Sequence, residues 1–258
     1  MSENRFAGKV AIVTGGGQSI GRASCEEFAA EGAAVVIAER NADAAREAAA
    51  MIKSAGGQAL AVVTDVSDED SVRHMVESAV REYGRVDILV NNAAVFVLRG
   101  IEATKEEWHE ILDVNVIGPS LCAKHAVPEM RKAGGGAIVN LGSISSFIAQ
   151  SGFLTYNATK GAVAQMTRCM ALDLAADNIR VNAVCPGTVW SPIVERLTRE
   201  RGMDRAQAES HPEYGGSHMI QRMVEPREIA RAILFLASSD ASFITAENLM
   251  VDGGYVSK

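Results

Sequence analysis

Short β-branched runs alternate with longer amphipathic stretches from one end of the chain to the other, and this rhythm constrains the fold more than any other feature. A run that is apolar at most positions, without polar alternation, is buried on both faces, as the strands of a parallel sheet are. Such runs lie at Lys9–Thr14, Ala34–Ala38, Ala59–Val63, Asp87–Val90, Ala137–Leu141, Arg180–Val184 and Asn248–Val251. Helices are predicted between them: Ile20–Gly32, Asn41 to about Ala55, Asp68–Tyr83, Thr104–Met130, Leu154–Ala175 and Pro226–Ala237. Thr104 and Glu107 form a capping-box pattern, Pro119 predicts a kink in the helix they open, and Pro226 suits a first helical turn. Strand–helix alternation of this kind gives an α/β sheet of about seven parallel strands with helices on both faces.

No linker, repeat or low-complexity stretch divides the 258 residues, so one domain spanning 1–258 is expected. The segment at about 189–222 departs from the rhythm. It is polar and carries Arg196, Arg199, Arg201 and Arg205. It reads equally as a solvated helical insertion and as a lid on the substrate side of the sheet.

With 48% apolar residues the chain can bury a full core. A net charge of −7 argues against nucleic acid or an anionic membrane surface as partner. There is no apolar run of about 18 residues and no signal-peptide core in the first nine, which points to a cytoplasmic protein. Cys25, Cys122, Cys169 and Cys185 are scattered without metal spacing, so reduced and mostly buried thiols are expected, with no disulfide and no metal. His74, His109, His125, His211 and His218 are not spaced as ligands and read as surface histidines, with substrate contact the alternative for His211 and His218 of the polar segment.

Two clusters carry chemistry. The first is Thr14-Gly15-Gly16-Gly17-Gln18-Ser19-Ile20-Gly21, directly after the first strand. A helix that starts there directs free N–H groups and its positive dipole end at whatever occupies the turn, which suits a pyrophosphate. Glu39 ends the second strand, where a carboxylate accepts from ribose hydroxyls and repels a 2′-phosphate. NAD is therefore favoured over NADP, although the adjacent Arg40 could pair with that phosphate. The second cluster is Tyr156 and Lys160, four residues apart on one helix face, with Ser143 upstream. An ammonium close to the phenol should favour the phenolate and let the tyrosine exchange protons nearer neutral pH. Together the clusters read as a hydride-transfer enzyme.

These residues resemble the short-chain dehydrogenase/reductase family from about Phe6 to Gly254. Thr14–Gly21 is similar to its T-G-x-x-x-G-x-G turn, Asn91-Asn92-Ala93-Ala94 to N-N-A-G, Tyr156–Lys160 to Y-x-x-x-K, and Pro186-Gly187 to the turn beside the nicotinamide. Ser19 stands where the family has a glycine, Ala94 replaces another, and Ser191 replaces a threonine. The resemblance implies a single-domain, Rossmann-like doubly wound fold. It implies cofactor contacts from Gly15, Gln18, Ser19, Ile20, Gly21, Glu39, Asp65, Val66, Asn91, Ala93, Pro186, Gly187, Val189 and Ser191, joined by Tyr156 and Lys160.

The resemblance further implies that Tyr156 is the general acid/base, that Lys160 lowers its pKa and binds ribose, and that Ser143 donates to the substrate oxygen. Asn115 is implied as the fourth catalytic member, holding a water that leads to Lys160. Gln150 and Phe153 are expected to shape the substrate pocket, with Phe96 as a further wall. The expected reaction interconverts a secondary alcohol (a polyol, sugar, cyclic alcohol or hydroxy acid) with its ketone. An NADPH-dependent 3-oxoacyl-carrier-protein reductase is the alternative within the class, and a non-catalytic dinucleotide-binding sensor or scaffold the alternative outside it. A homotetramer is expected by resemblance.

Overall fold

The computed structural model describes residues 4–258, so Met1–Glu3 of the expected domain lie outside the described residues. Seven strands form one parallel sheet: β1 Val10–Thr14, β2 Ala34–Glu39, β3 Gln58–Val63, β4 Ile88–Asn91, β5 Gly136–Leu141, β6 Ile179–Pro186 and β7 Asn248–Val251. Their spatial order is β3-β2-β1-β4-β5-β6-β7. The helices are α1 Ser19–Ala30, α2 Ala42–Ser54, α3 Glu69–Tyr83, α4 Lys105–Leu112, α5 Gly118–Lys132, α6 Leu154–Leu174, α7 Pro192–Glu200, α8 Arg205–Ser210 and α9 Pro226–Ala237.

Alternate residues of each strand point to opposite faces, and both faces are buried. Ala11, Val13, Val35, Ile37, Val139 and Val184 meet α1, α2 and α9 through Phe28, Ile52, Ile229 and Ile233. Ile12, Val36, Leu89, Ile138 and Val181 meet α3, α5 and α6 through Met75, Val76, Ala126 and Leu174. Each fully buried aliphatic side chain contributes about 1.5–3 kcal/mol, which is why the strands tolerate no polar alternation. The chain reverses its direction of strand addition between β1 and β4, and the crevice at their carboxyl ends is where such sheets bind ligands.

Two expectations change, the single helix over Thr104–Met130 and the surface placement of His218. The helix predicted over Thr104–Met130 is two helices separated by a π-helical turn at Asp113–Ile117. The break precedes Pro119, which sits in the first turn of α5, where its missing N–H leaves no bond unmade. The polar segment after β6 folds as α7, α8 and a 3₁₀ turn at Gly215–Ser217. His218 is buried rather than on the surface, and among the thiols Cys169 is exposed.

Candidate active site

A cleft of about 600 Å³ opens along the carboxyl ends of the strands. Gly15, Gln18, Ser19 and Ile20 line one end, with Glu39, Arg40, Asp65, Val66 and Ala93 beside them. Ser143, Tyr156, Lys160, Gln150 and Phe153 line the other, and Pro186, Gly187, Val189 and Ser191 close the wall between. Gly21, Asn91 and Asn115 stand behind this lining.

The glycine turn is shaped by contact. A Cβ on Gly15 would lie 2.9 Å from Asn92 Nδ2, and one on Gly21 would lie 2.0 Å from the Gly15 carbonyl oxygen. Gly21 therefore seats α1 against the turn, and Gly15 keeps the turn low. Ser19 adopts φ +49°, the left-handed region that favours glycine, so its side chain is accommodated by strained backbone rather than by a shifted loop. The Gln18 side chain makes no cap bond, which leaves the first N–H groups of α1 free for an anion. A dinucleotide pyrophosphate fits this cradle. At the end of β2 the Glu39 carboxylate accepts from Gly17 N–H at 3.2 Å and Asn41 N–H at 3.0 Å, beside the site expected for a ribose. Asp65 is held below the usual carboxylate range chiefly by the Ser67 hydroxyl, which donates to it at 2.6 Å.

The paired asparagines divide their work. Asn91 is buried and donates to Asn140 Oδ1 at 2.9 Å, and Asn140 in turn donates to Thr167 of α6 at 2.9 Å. It ties β4 to β5 and does not reach the cleft. Asn92, which sequence reasoning passed over, holds the glycine turn by donating to the carbonyls of Thr14 at 2.9 Å and Gly15 at 3.0 Å. The second asparagine of the pair was the available signal. Thr14 was missed as well: its Oγ1 accepts from Asn92 N–H and Ala93 N–H, both at 3.0 Å.

Helix α6 carries Tyr156 and Lys160 on its buried face, below β5. Lys160 Nζ donates to the Leu141 carbonyl at 2.7 Å and lies 5.6 Å from the Tyr156 ring centroid. Burial lowers the lysine to about 8. Burial also pushes the Tyr156 phenol above its ordinary value, with the Ser143 hydroxyl pulling it back. This is opposite to the direction expected from the i,i+4 pairing: desolvation outweighs the pull of the Ser143 hydroxyl. Ser143 is oriented from two sides. Its Oγ accepts Ser145 N–H at 3.1 Å, and its own N–H meets the buried Cys185 thiol, which burial pushes up to about 11.

Asn115 lies in the π turn with its side chain engaged: Oδ1 accepts Val95 N–H at 2.8 Å and Nδ2 donates to the Val95 carbonyl at 3.0 Å. It clamps the loop after β4 rather than lining the cleft. That loop carries Phe96, whose ring stacks on Tyr156 with centroids 5.0 Å apart and planes 19° apart. Gln150 is fixed by Ser145 Oγ, which donates to its Oε1 at 2.7 Å. Ser191 caps α7, its Oγ accepting Val194 N–H at 3.4 Å. Arg199 and Arg222 pair with Glu195 at 2.6 Å and Glu228 at 2.7 Å, while Arg201 and Arg205 pair with Glu213 and Glu225. Arg196 reaches the cleft and has only Glu200 near, at 3.8 Å.

A family model described as enoyl-(acyl carrier protein) reductase matches residues 15–256. Cis-4-hydroxycyclohexanecarboxylate dehydrogenase of Sinomonas cyclohexanicum is 41% identical over 97% of both chains. Meso-2,3-butanediol dehydrogenase of Serratia marcescens is 38% identical over 97% of this chain and 95% of its own. The crystal structure of a short-chain type dehydrogenase/reductase from Mycobacterium marinum superposes with a TM-score of 0.90 at 34% identity, covering 98% of this chain and 97% of that one. Matched along nearly its whole length in sequence and in fold, the chain belongs to the short-chain dehydrogenase/reductase family, which binds an NAD(P) cofactor, and it is an oxidoreductase acting on CH–OH donors.

Proposed function

We propose that the protein is an NAD-dependent dehydrogenase that interconverts a small secondary alcohol, cyclic or acyclic, with its ketone. The observation that carries this reading is the convergence of Ser143, Tyr156 and Lys160 at one end of the cleft whose other end is the glycine cradle. A bound nicotinamide dinucleotide supplies the hydride acceptor, or the donor in the reverse direction. The protein's own residues do the rest. Ser143 donates a hydrogen bond to the substrate oxygen and holds it beside the phenol. In oxidation Tyr156 acts as the phenolate, taking the hydroxyl proton as the carbonyl forms; in reduction the phenol gives its proton to the substrate oxygen. Lys160 keeps a positive charge at the buried end of the site near neutral pH and steadies the phenolate when it forms. Asn115 supports this arrangement through Val95 and the Phe96 loop; a role for it in holding a water toward Lys160 belongs to the same proposal.

The substrate end is walled by Phe96, Leu98, Phe153, Ile193 and Leu197, which suits a compact apolar ring, and Gln150 offers an amide at its edge. The relatives named for a hydroxycyclohexane acid and for a butanediol support compact secondary alcohols. Most arginines of the 189–222 segment already face carboxylates, so a clamp on an anionic substrate would fall to Arg196. Glu39 supports NAD, because its carboxylate repels a 2′-phosphate; Arg40 alone opposes it. The reading includes a cytoplasmic homotetramer. Initial rates of cyclopentanol, cyclohexanol and 2,3-butanediol oxidation with NAD and with NADP test it. Turnover of at least one ring alcohol with at least about a tenfold preference for NAD, worth about 1.4 kcal/mol, is expected. A preference for NADP, or turnover of acyl thioesters alone, contradicts it.

A further inference from the structure

His218 has no part in the chemistry above, yet it is 1% exposed and both ring nitrogens are engaged. Nε2 accepts the Thr188 backbone N–H at 3.0 Å. Nδ1 lies 3.2 Å from the Gly215 carbonyl and 3.4 Å from Ser217 Oγ. A carbonyl oxygen only accepts, so Nδ1 carries the proton and Nε2 is the bare acceptor. The ring fits so closely under the turn that a Cβ on Gly187 would stand 2.5 Å from Nε2. Tyr255 closes its far side, with ring centroids 5.5 Å apart.

Gly187 and Thr188 follow β6 and line the cleft, and so does Tyr214, which belongs to the same short segment as His218. One imidazole thus fastens the turn after β6 to the stretch that carries Tyr214. The Thr188 N–H has no other partner among the described residues. We propose that His218 is a positioning residue of the active site, whose neutral ring fixes the Gly187–Thr188 wall at the height at which the cofactor and substrate meet it. This inference rests on the reading of the cleft as a dinucleotide site. Without the acceptor the Thr188 N–H is left unpaired and the turn relaxes, and displacements of about 1 Å near reacting groups are costly. The titratable groups around the ring are Tyr255, Asp252 and Lys258. The Asp252 carboxylate accepts from Gly254 N–H at 3.0 Å and Val256 N–H at 2.9 Å, and the Lys258 ammonium reaches the Ser217 carbonyl.

The test compares wild type, His218→Gln and His218→Phe in two readouts: NADH binding by nicotinamide fluorescence, and amide exchange of the peptide containing Thr188. Glutamine carries a carbonyl oxygen near the place of Nε2, and phenylalanine keeps the ring without an acceptor. In the phenylalanine variant NADH should bind about tenfold more weakly and Thr188 should lose protection. The glutamine variant should stay within about twofold of wild type and keep Thr188 protected. Wild-type binding and protection in the phenylalanine variant, or equal damage in both variants, overturns the proposal. Should the phenylalanine variant not fold, His218→Leu, which also lacks an acceptor, takes its place, and wild-type binding and protection in it overturn the proposal. A wild type that does not bind NADH refutes the dinucleotide reading, while the exchange readout still judges the hydrogen bond.

Discussion

Lys160 is a stability cost held at the centre of the site. Its ammonium is buried, with one carbonyl as partner, and its pKa falls from 10.5 to about 8. Below pH 8 it is protonated in both folded and unfolded states, and the full penalty of about 3 kcal/mol stands. Between pH 8 and 10.5 the unfolded chain binds a proton that the folded one lacks, so stability rises with pH until the penalty is gone. Lys160→Met should therefore abolish turnover yet raise the melting temperature at pH 7, by a margin that shrinks toward pH 10. Melting curves across that range check it, and a variant less stable at pH 7 than at pH 10 relative to wild type contradicts it. The residue types of the site were legible from motif spacing, but the direction of the tyrosine's shift was not. Spacing brings the two charges together; burial, which decides the sign, is a property of the packed sheet. Ser19 shows the same division. The sequence marks a missing glycine, and only the backbone shows that the chain keeps φ +49° with a side chain attached.

At the scale of elements, hydrophobic periodicity located all seven strands to within a residue or two, because runs buried on both faces leave little ambiguity. The π turn at Asp113–Ile117 had no such signal. Its amphipathic pattern continues through α4 and α5, and the proline marked the break a few residues late. What holds the turn is Asn115's pair of bonds to Val95, a contact across 20 residues that no local pattern encodes. The 189–222 segment does fold as two short capped helices, in line with its reading as a helical insertion; where those helices begin and end had no periodic signal. The outer surfaces also carry apolar side chains without partners in a single chain: Leu172 is 81% exposed on α6, Ile117 45% beside α5 and Phe147 44% between them and the cleft. Such surface is normally covered by another copy. Sedimentation should give a mass near four chains of 27.4 kDa; a single-chain mass contradicts the tetramer.

Across the whole molecule, one topological fact organises the site. Strand order reverses between β1 and β4, so the turn after β1 and the loops after β4, β5 and β6 meet over one crevice. The glycine cradle comes from the first of these, Phe96 from the second, Ser143 from the third and Pro186–Thr188 from the last. Residues from positions 15 to 214 are thereby brought together at the edge of the core layers. A family resemblance finds the motifs among them, Thr14 and Asn92 included; that these two hold the glycine turn, and that His218 holds the turn after β6, is visible only in the packed structure. In the proposed function, proton exchange at Tyr156 is the step on which this architecture converges. The most direct measurement is steady-state oxidation of a ring alcohol by wild type and Tyr156→Phe, with NADH affinity determined on the same samples. Turnover reduced about 1,000-fold with cofactor affinity unchanged is expected. Turnover preserved in the phenylalanine variant contradicts the assignment of the tyrosine as acid and base.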